Sequence, residues 1–161
     1  MNECTIRSVG DADKTWITDL LKEWWAGPAV VSRGRLHRAD ELPGFIAMQR
    51  GKPAGLITYQ ITGKECEIIT MNSLIEGRGV GSALIEIVRN MAVKEGCRRL
   101  WLITTNDNTA ALRFYQKRGF HLVAVHRNAV EQSRRLKPEI PETGNGGVPL
   151  RDEIELEIIL E

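Results

Sequence analysis

Apolar residues change their spacing several times along the chain, and each change marks a different element. Residues 4–9 are short and β-leaning. Trp16, Ile17, Leu20, Leu21 and Trp24 then recur at helical spacing until Ala-Gly-Pro at 26–28 stops them, and Trp24 and Trp25 read as a cap on the core. The stretch 30–44, VVSRGRLHRADELPG, sustains no period and reads as a loop or an irregular helix at the rim of a site. Three β-like runs follow at 45–50, 54–61 and 65–74, separated by the turn-length Gly-Lys-Pro and Thr-Gly-Lys; they predict an antiparallel meander.

From Ser82 the apolar positions Ala83, Leu84, Ile87, Val88, Met91 and Ala92 fall on one helical face that ends before Gly96. Residues 98–105 then read as a buried strand, 108–118 as a helix starting at an Asn-Asp-Asn cap cluster, and 120–125 as a strand. The order β-α-β-α-β makes the second half α/β. A polar helical piece at 129–136 precedes a Pro- and Gly-rich stretch, 137–150, that reads as a long loop whose Gly144–Gly147 is a lid or slack chain. Residues 152–161 alternate Ile154, Leu156, Ile158 and Leu160 against Glu153, Glu155 and Glu157, which predicts a strand with one wet face.

Composition narrows the partners. At 161 residues the chain is most simply one domain, 1–161, able to bury about two thirds of its unfolded surface. Twenty-two basic and 21 acidic side chains leave a net charge of +1, so no global field favours nucleic acid or an anionic membrane, and a small-molecule partner is expected. Cys4, Cys66 and Cys97 are odd in number and far apart, which indicates neither a disulfide framework nor a metal site. Without an apolar run of signal or membrane-span length, the chain reads as cytoplasmic. The C-terminal strand offers an edge through which a homodimer would pair.

The candidate chemistry starts at SLIEGRGVGSALIEIV, residues 73–88, where Gly77, Gly79 and Gly81 lie between a strand and a helix. Bare amides at a helix N-terminus suit an anionic guest, phosphate above all. G-x-G-x-G is neither the dinucleotide fingerprint nor the Walker loop. Tight-turn geometry alone accounts for it equally well. About a helix and a strand later comes NDNTAALRFYQKRGF, in which Asn108, Ala111 and Tyr115 share one helical stripe. In the strand 65–74, period two places Glu65, Glu67, Ile69 and Met71 on one face.

Together the two segments resemble the signature of the GNAT N-acetyltransferase superfamily. Gly79 and Gly81 match its (Gln/Arg)-x-x-Gly-x-(Gly/Ala) motif, and Asn108, Ala111, Tyr115, Gly119 and Phe120 match its second motif; Glu76 stands where the family has Gln or Arg. The resemblance covers most of the chain. It implies an α/β (α+β) GNAT fold, a mixed, mostly antiparallel sheet of six or seven strands flanked by helices. It further implies acetyl-CoA as cosubstrate, held by Met71, Gly77, Arg78, Gly79, Val80, Gly81, Ser82, Asn108, Ala111 and Tyr115. The reaction implied is direct transfer of acetyl to a primary amine of a small molecule or peptide terminus. Tyr115 is the expected general acid for the thiolate, and Glu67, with Glu65 in reserve, the general base. Arg33, Arg35 and Arg38 would suit an acceptor bearing carboxylate or phosphate. Two other readings stay open: a non-catalytic acyl-CoA-binding module of the same fold, and an enzyme acting on charged RNA, against which the near-zero charge argues.

Overall fold

The computed structural model describes residues 4–75, Gly77 and residues 79–161. Glu76 and Arg78, singled out above, lie outside the described residues. Strand β1 (Cys4–Ser8) leads into helix α1 (Lys14–Trp25), which buries Ile17, Leu20 and Leu21 as the spacing predicts. Ala26, left-handed at φ 56°, ends the helix.

The segment 30–44 departs from expectation, being neither a loop nor an irregular helix. It folds into the hairpin β2 (Ala29–Ser32) and β3 (Arg35–Arg38), followed by one 3-10 turn, Ala39–Glu41. Arg33 and Gly34 close it with φ of 48° and 74°, the positive values that a two-residue hairpin turn requires. Four-residue strands are too short to show a period, and Arg at the first turn position gives no sequence signal.

The meander forms as predicted, from β4 (Gly44–Gln49), β5 (Lys52–Thr62) and β6 (Glu65–Ser73). One irregularity matters later. Thr58 faces Thr70 and Tyr59 faces Ile68, so Ile69 is an extra residue in β6. Helix α2 (Val80–Lys94) starts two residues before the predicted Ser82, because Gly79 at φ 72° turns the chain into it. Strand β7 (Arg99–Thr105), helix α3 (Thr109–Lys117), strand β8 (His121–His126), helix α4 (Ala129–Leu136) and strand β9 (Glu153–Ile159) complete the described chain.

Among the described residues the main sheet has seven strands in the order β1-β4-β5-β6-β7-β9-β8, with β6 and β7 its parallel pair. Helix α2 packs Leu84 and Val88 against Ile57, Leu100 and Leu156 on one face. Helix α1 packs Ile17 and Leu21 against Ile46, Leu56 and Ile69 on the other. Both faces are therefore dry over much of their area, and each fully buried Leu or Ile contributes about 1.5–3 kcal/mol.

Strand β9 corrects two expectations. It lies between β7 and β8, so it is not an edge and has no free ladder to offer a second copy. Its glutamate face is not wet either. Glu153 is 2% exposed, while Glu155 and Glu157 are bonded to the Arg99 guanidinium, which also reaches Glu65 at 2.9 Å and stacks on Trp101. Nor is 137–150 slack. Arg134 donates to the carbonyls of Pro141 and Leu150 at 2.7 Å each, and the amide of Asn145 donates to Asp107 at 2.9 Å.

Candidate active site

The site arises from a pairing that stops early. β6 and β7 pair only from Glu65–Ile68 with Arg99–Leu102, although they run on to Ser73 and Thr105. Past Ile68 the strands part, and the extra residue Ile69 bends β6 at the same point. A cavity of about 270 Å³ occupies the wedge, lined by Met71, Ile103 and Thr104 from the strands and by Asn108, Ala111 and Tyr115 from α3 and its cap. It shares Ile68, Ile69 and Asn108 with a second cavity of about 110 Å³ around Glu67 and Ser32. That one in turn shares Val30, Val31 and Glu153 with a third, of about 500 Å³. Trp25 borders all three.

The bulge also corrects the strand-face assignment. Ile69 packs in the cluster around α1, whereas Met71 packs against the cluster around α2, so Met71 is not on the face of Glu67. Both nevertheless border the row of cavities, Glu67 from within and Met71 from its α2 side.

Gly79 caps α2 and has no side chain with which to satisfy the first amides of the helix. At Gly77 and Gly79 the space a Cβ would take is open for 4 Å. This cradle of bare amides at a positive dipole end fits a diphosphate. Gly81 has a different reason: a Cβ there would stand 2.8 Å from Cζ of Phe114, whose ring is covered by the Arg118 guanidinium at 3.6 Å. Arg118 also donates to Ser82 Oγ at 2.8 Å and to the carbonyl of Phe114 at 2.9 Å, locking the start of α2 to α3. Gly81→Ala is expected to cost about 1–3 kcal/mol through this overpacking, read as a lower denaturation midpoint.

Glu67 is buried, and its carboxylate accepts a short hydrogen bond from the Ser32 hydroxyl. Burial pushes its carboxyl up to about 7; the Ser32 bond and Arg35 pull the other way, and Glu153 and Glu155 add to the rise. A carboxylate near half-ionisation at neutral pH is suited to exchanging a proton with an amine. The reserve candidate Glu65 is instead half-exposed and paired with Arg99.

Tyr115 is 8% exposed, with its ring edge-on to Phe114 at 5.2 Å and to Phe120 at 5.4 Å. Burial raises its phenol well above the ordinary value, so it stays protonated throughout the physiological range. Asn108 serves as the cap of α3, its Oδ1 accepting from the Ala111 amide at 3.1 Å.

This arrangement matches a known family. The model of the acetyltransferase (GNAT) family matches residues 10–120. The chain belongs to that family. The uncharacterized protein YdhI of Bacillus subtilis (strain 168) is 49% identical over 142 residues, 88% of this chain and 89% of that one. The ribosomal protein bS18-alanine N-acetyltransferase of Escherichia coli (strain K12) is 30% identical over 94 residues, 57% of this chain and 64% of that one. A Bacillus subtilis acetyltransferase solved in complex with CoA shares the fold, with a TM-score of 0.69 at 17% identity over the full length of both chains. The seven-stranded, mostly antiparallel sheet with helices on both faces is the GNAT fold that the motifs implied.

Of the three arginines expected to suit an anionic acceptor, two are engaged by carboxylates, and the third, Arg35, is exposed and near enough for its charge to act on Glu67. Arg33 pairs with Glu153 at 3.4 Å and Arg38 with Asp40 at 3.2 Å, and the residues that hairpin β2–β3 presents to the cavities are Val30, Val31 and Ser32. Trp24 does not cap the core; it is 55% exposed and borders the largest cavity. Ser32 and Lys137 carry no site signal in the sequence, because they sit in a strand too short to show a period and just past the end of α4, while Glu153, visible in the alternation of β9, reads there as a solvated face. No group of three or more His, Cys, Asp or Glu able to hold a metal occurs among the described residues, and no described helix is long and apolar enough to cross a membrane.

Proposed function

We propose that this GNAT protein is an N-acetyltransferase that moves acetyl from acetyl-CoA directly to a primary amine. The observation that carries the reading is the row of adjoining cavities with shared walls, from Tyr115 and the α2 side of the wedge, past buried Glu67, to a pocket large enough for an acceptor. Acetyl-CoA supplies the thioester. The amides of residues 79–82 and the flanking Gly77 would hold its diphosphate, the Ala111 side of α3 would take the thin pantetheine chain, and the Met71 amide would serve the acetyl oxygen.

A primary ammonium, with a pKa near ~10.4, must lose a proton before it attacks. Glu67 takes that proton and passes it to solvent. The nitrogen–carbon bond then forms as the carbon–sulfur bond breaks, the sulfur gaining a proton from the Tyr115 hydroxyl while the nitrogen sheds its second proton to restore the tyrosine. One ammonium and one thioester give one amide, one thiol and one proton. Placing both groups along one cleft puts a proton acceptor on the amine side and a proton donor on the thiolate side of the reacting carbon.

The cosubstrate half of this reading is tested by the thermal midpoint with acetyl-CoA at about 100 times a micromolar dissociation constant, where a ligand adds on the order of 2.7 kcal/mol. A rise of several degrees is expected. No shift would remove acetyl-CoA from the account. A shift without thiol release in the presence of any amine would favour the acyl-CoA-binding module.

A further inference from the structure

We infer that the acceptor is a small primary amine carried on an uncharged, apolar body of arylalkylamine size, held in the 500 Å³ cavity between the end of α1, strand β2, α4 and the loop 137–150. The inference rests on the N-acetyltransferase reading and adds the class of substrate.

The walls of the cavity carry most of the argument. Trp24, Val31, Val130, Ile140, Pro141 and Leu150 come from four separate segments and converge on one space. Half-exposing an indole to water is unfavourable, and Trp24 at 55% exposure is an aromatic face available for stacking. Its neighbour Trp25 is fixed by a 3.0 Å hydrogen bond from its indole N–H to Asn72, so the wall is preformed.

The charges then set polarity. Lys137, the cation inside this space, is 7% exposed, and its ammonium is bonded to the carbonyls of Trp25 and Ala29. Two of its three donors are engaged by main chain, which leaves it less able to receive a carboxylate or phosphate than a free lysine. Exposed Lys22 and Glu23, side by side on α1, offset one another at the cavity. At the inner end, the wall shared with the pocket around Glu67 carries Glu153, whose carboxylate is paired on one side with Arg33 at 3.4 Å. An amine directed inward meets carboxylates; the rest of the ligand meets hydrocarbon. A second ammonium on the acceptor would be stranded against the apolar walls, and a carboxylate beside the amine would be brought to Glu67 and Glu153, both of which are costly.

The test compares acceptors of similar length with the intact protein and acetyl-CoA, following thiol release: phenethylamine and tryptamine against phenylalanine, spermidine and an alanine-ended peptide. The apolar amines are expected to exceed the others in kcat/KM by at least about 30-fold, consistent with burying a ring and sparing a buried charge. Turnover of spermidine, phenylalanine or the peptide at equal or higher kcat/KM would overturn the inference and leave the N-acetyltransferase reading standing. No thiol release with any amine would overturn both. Trp24→Ala, at an exposed position the fold tolerates, is expected to raise the KM for phenethylamine about 10-fold while leaving the midpoint shift by acetyl-CoA unchanged. An unchanged KM would remove Trp24 and the stacking wall from the proposal.

Discussion

Glu67→Gln is expected to lower kcat/KM at pH 7.5 by about 100-fold or more and, at the same pH, to make the protein more stable. The first effect is the loss of a positioned base. The second follows from the direction of the Glu67 shift. Its carboxyl is raised from 4.5 to about 7 by burial, so the folded state binds a proton more tightly than the unfolded state. Between those two values the stability of the wild type falls as pH rises, and above about 7 the whole cost, on the order of 3 kcal/mol, is present. Gln keeps an acceptor for the Ser32 hydroxyl and carries no charge to bury. Denaturant midpoints of the two proteins should coincide near pH 4 and separate as pH rises through 7, with the variant higher. Equal midpoints at pH 8 would show that ionisation of Glu67 does not destabilise the fold, and an unaffected rate would show that Glu67 is not the base.

Tyr115→Phe is expected to reduce thiol release by about 100-fold while leaving the acetyl-CoA midpoint shift intact. The ring edges against Phe114 and Phe120 survive the substitution, so stability should change by less than about 1 kcal/mol. Because burial keeps the phenol protonated, the wild-type rate should show no loss at high pH attributable to this group below about pH 10. Thiol release by the phenylalanine variant at the wild-type rate would move the acid elsewhere.

The long periodic elements were legible in the sequence for a physical reason: α1, the meander, α2 and α3 each repeat one spacing for two turns or more, and each buries the face that the spacing marks. The hairpin β2–β3 repeats nothing long enough to read. The bulge at Ile69 was invisible because period two runs on in the sequence whether or not the partner strand keeps step. Thus the single face expected for Glu65, Glu67, Ile69 and Met71 is broken at the bulge, with Ile69 and Met71 packing on opposite sides of the sheet. The hydrogen bond that Glu67 accepts comes from Ser32, 35 positions away, and the largest of the three cavities in the row takes its walls from Trp24, Val31 and Ile140. Residues that meet only through the fold leave no spacing to detect. The β9 glutamates show the same limit, since alternation marks two faces without saying which is covered.

The most direct measurement is a single turnover: protein in excess is mixed with acetyl-CoA and then with a primary amine, and free thiol and acetylated amine are counted from the same sample by thiol titration and mass spectrometry. The account predicts equal amounts of the two, formed at one rate that rises with pH through about 7 as Glu67 ionises. Thiol formed without acetylated amine, or neither product while the protein still binds acetyl-CoA, would contradict it.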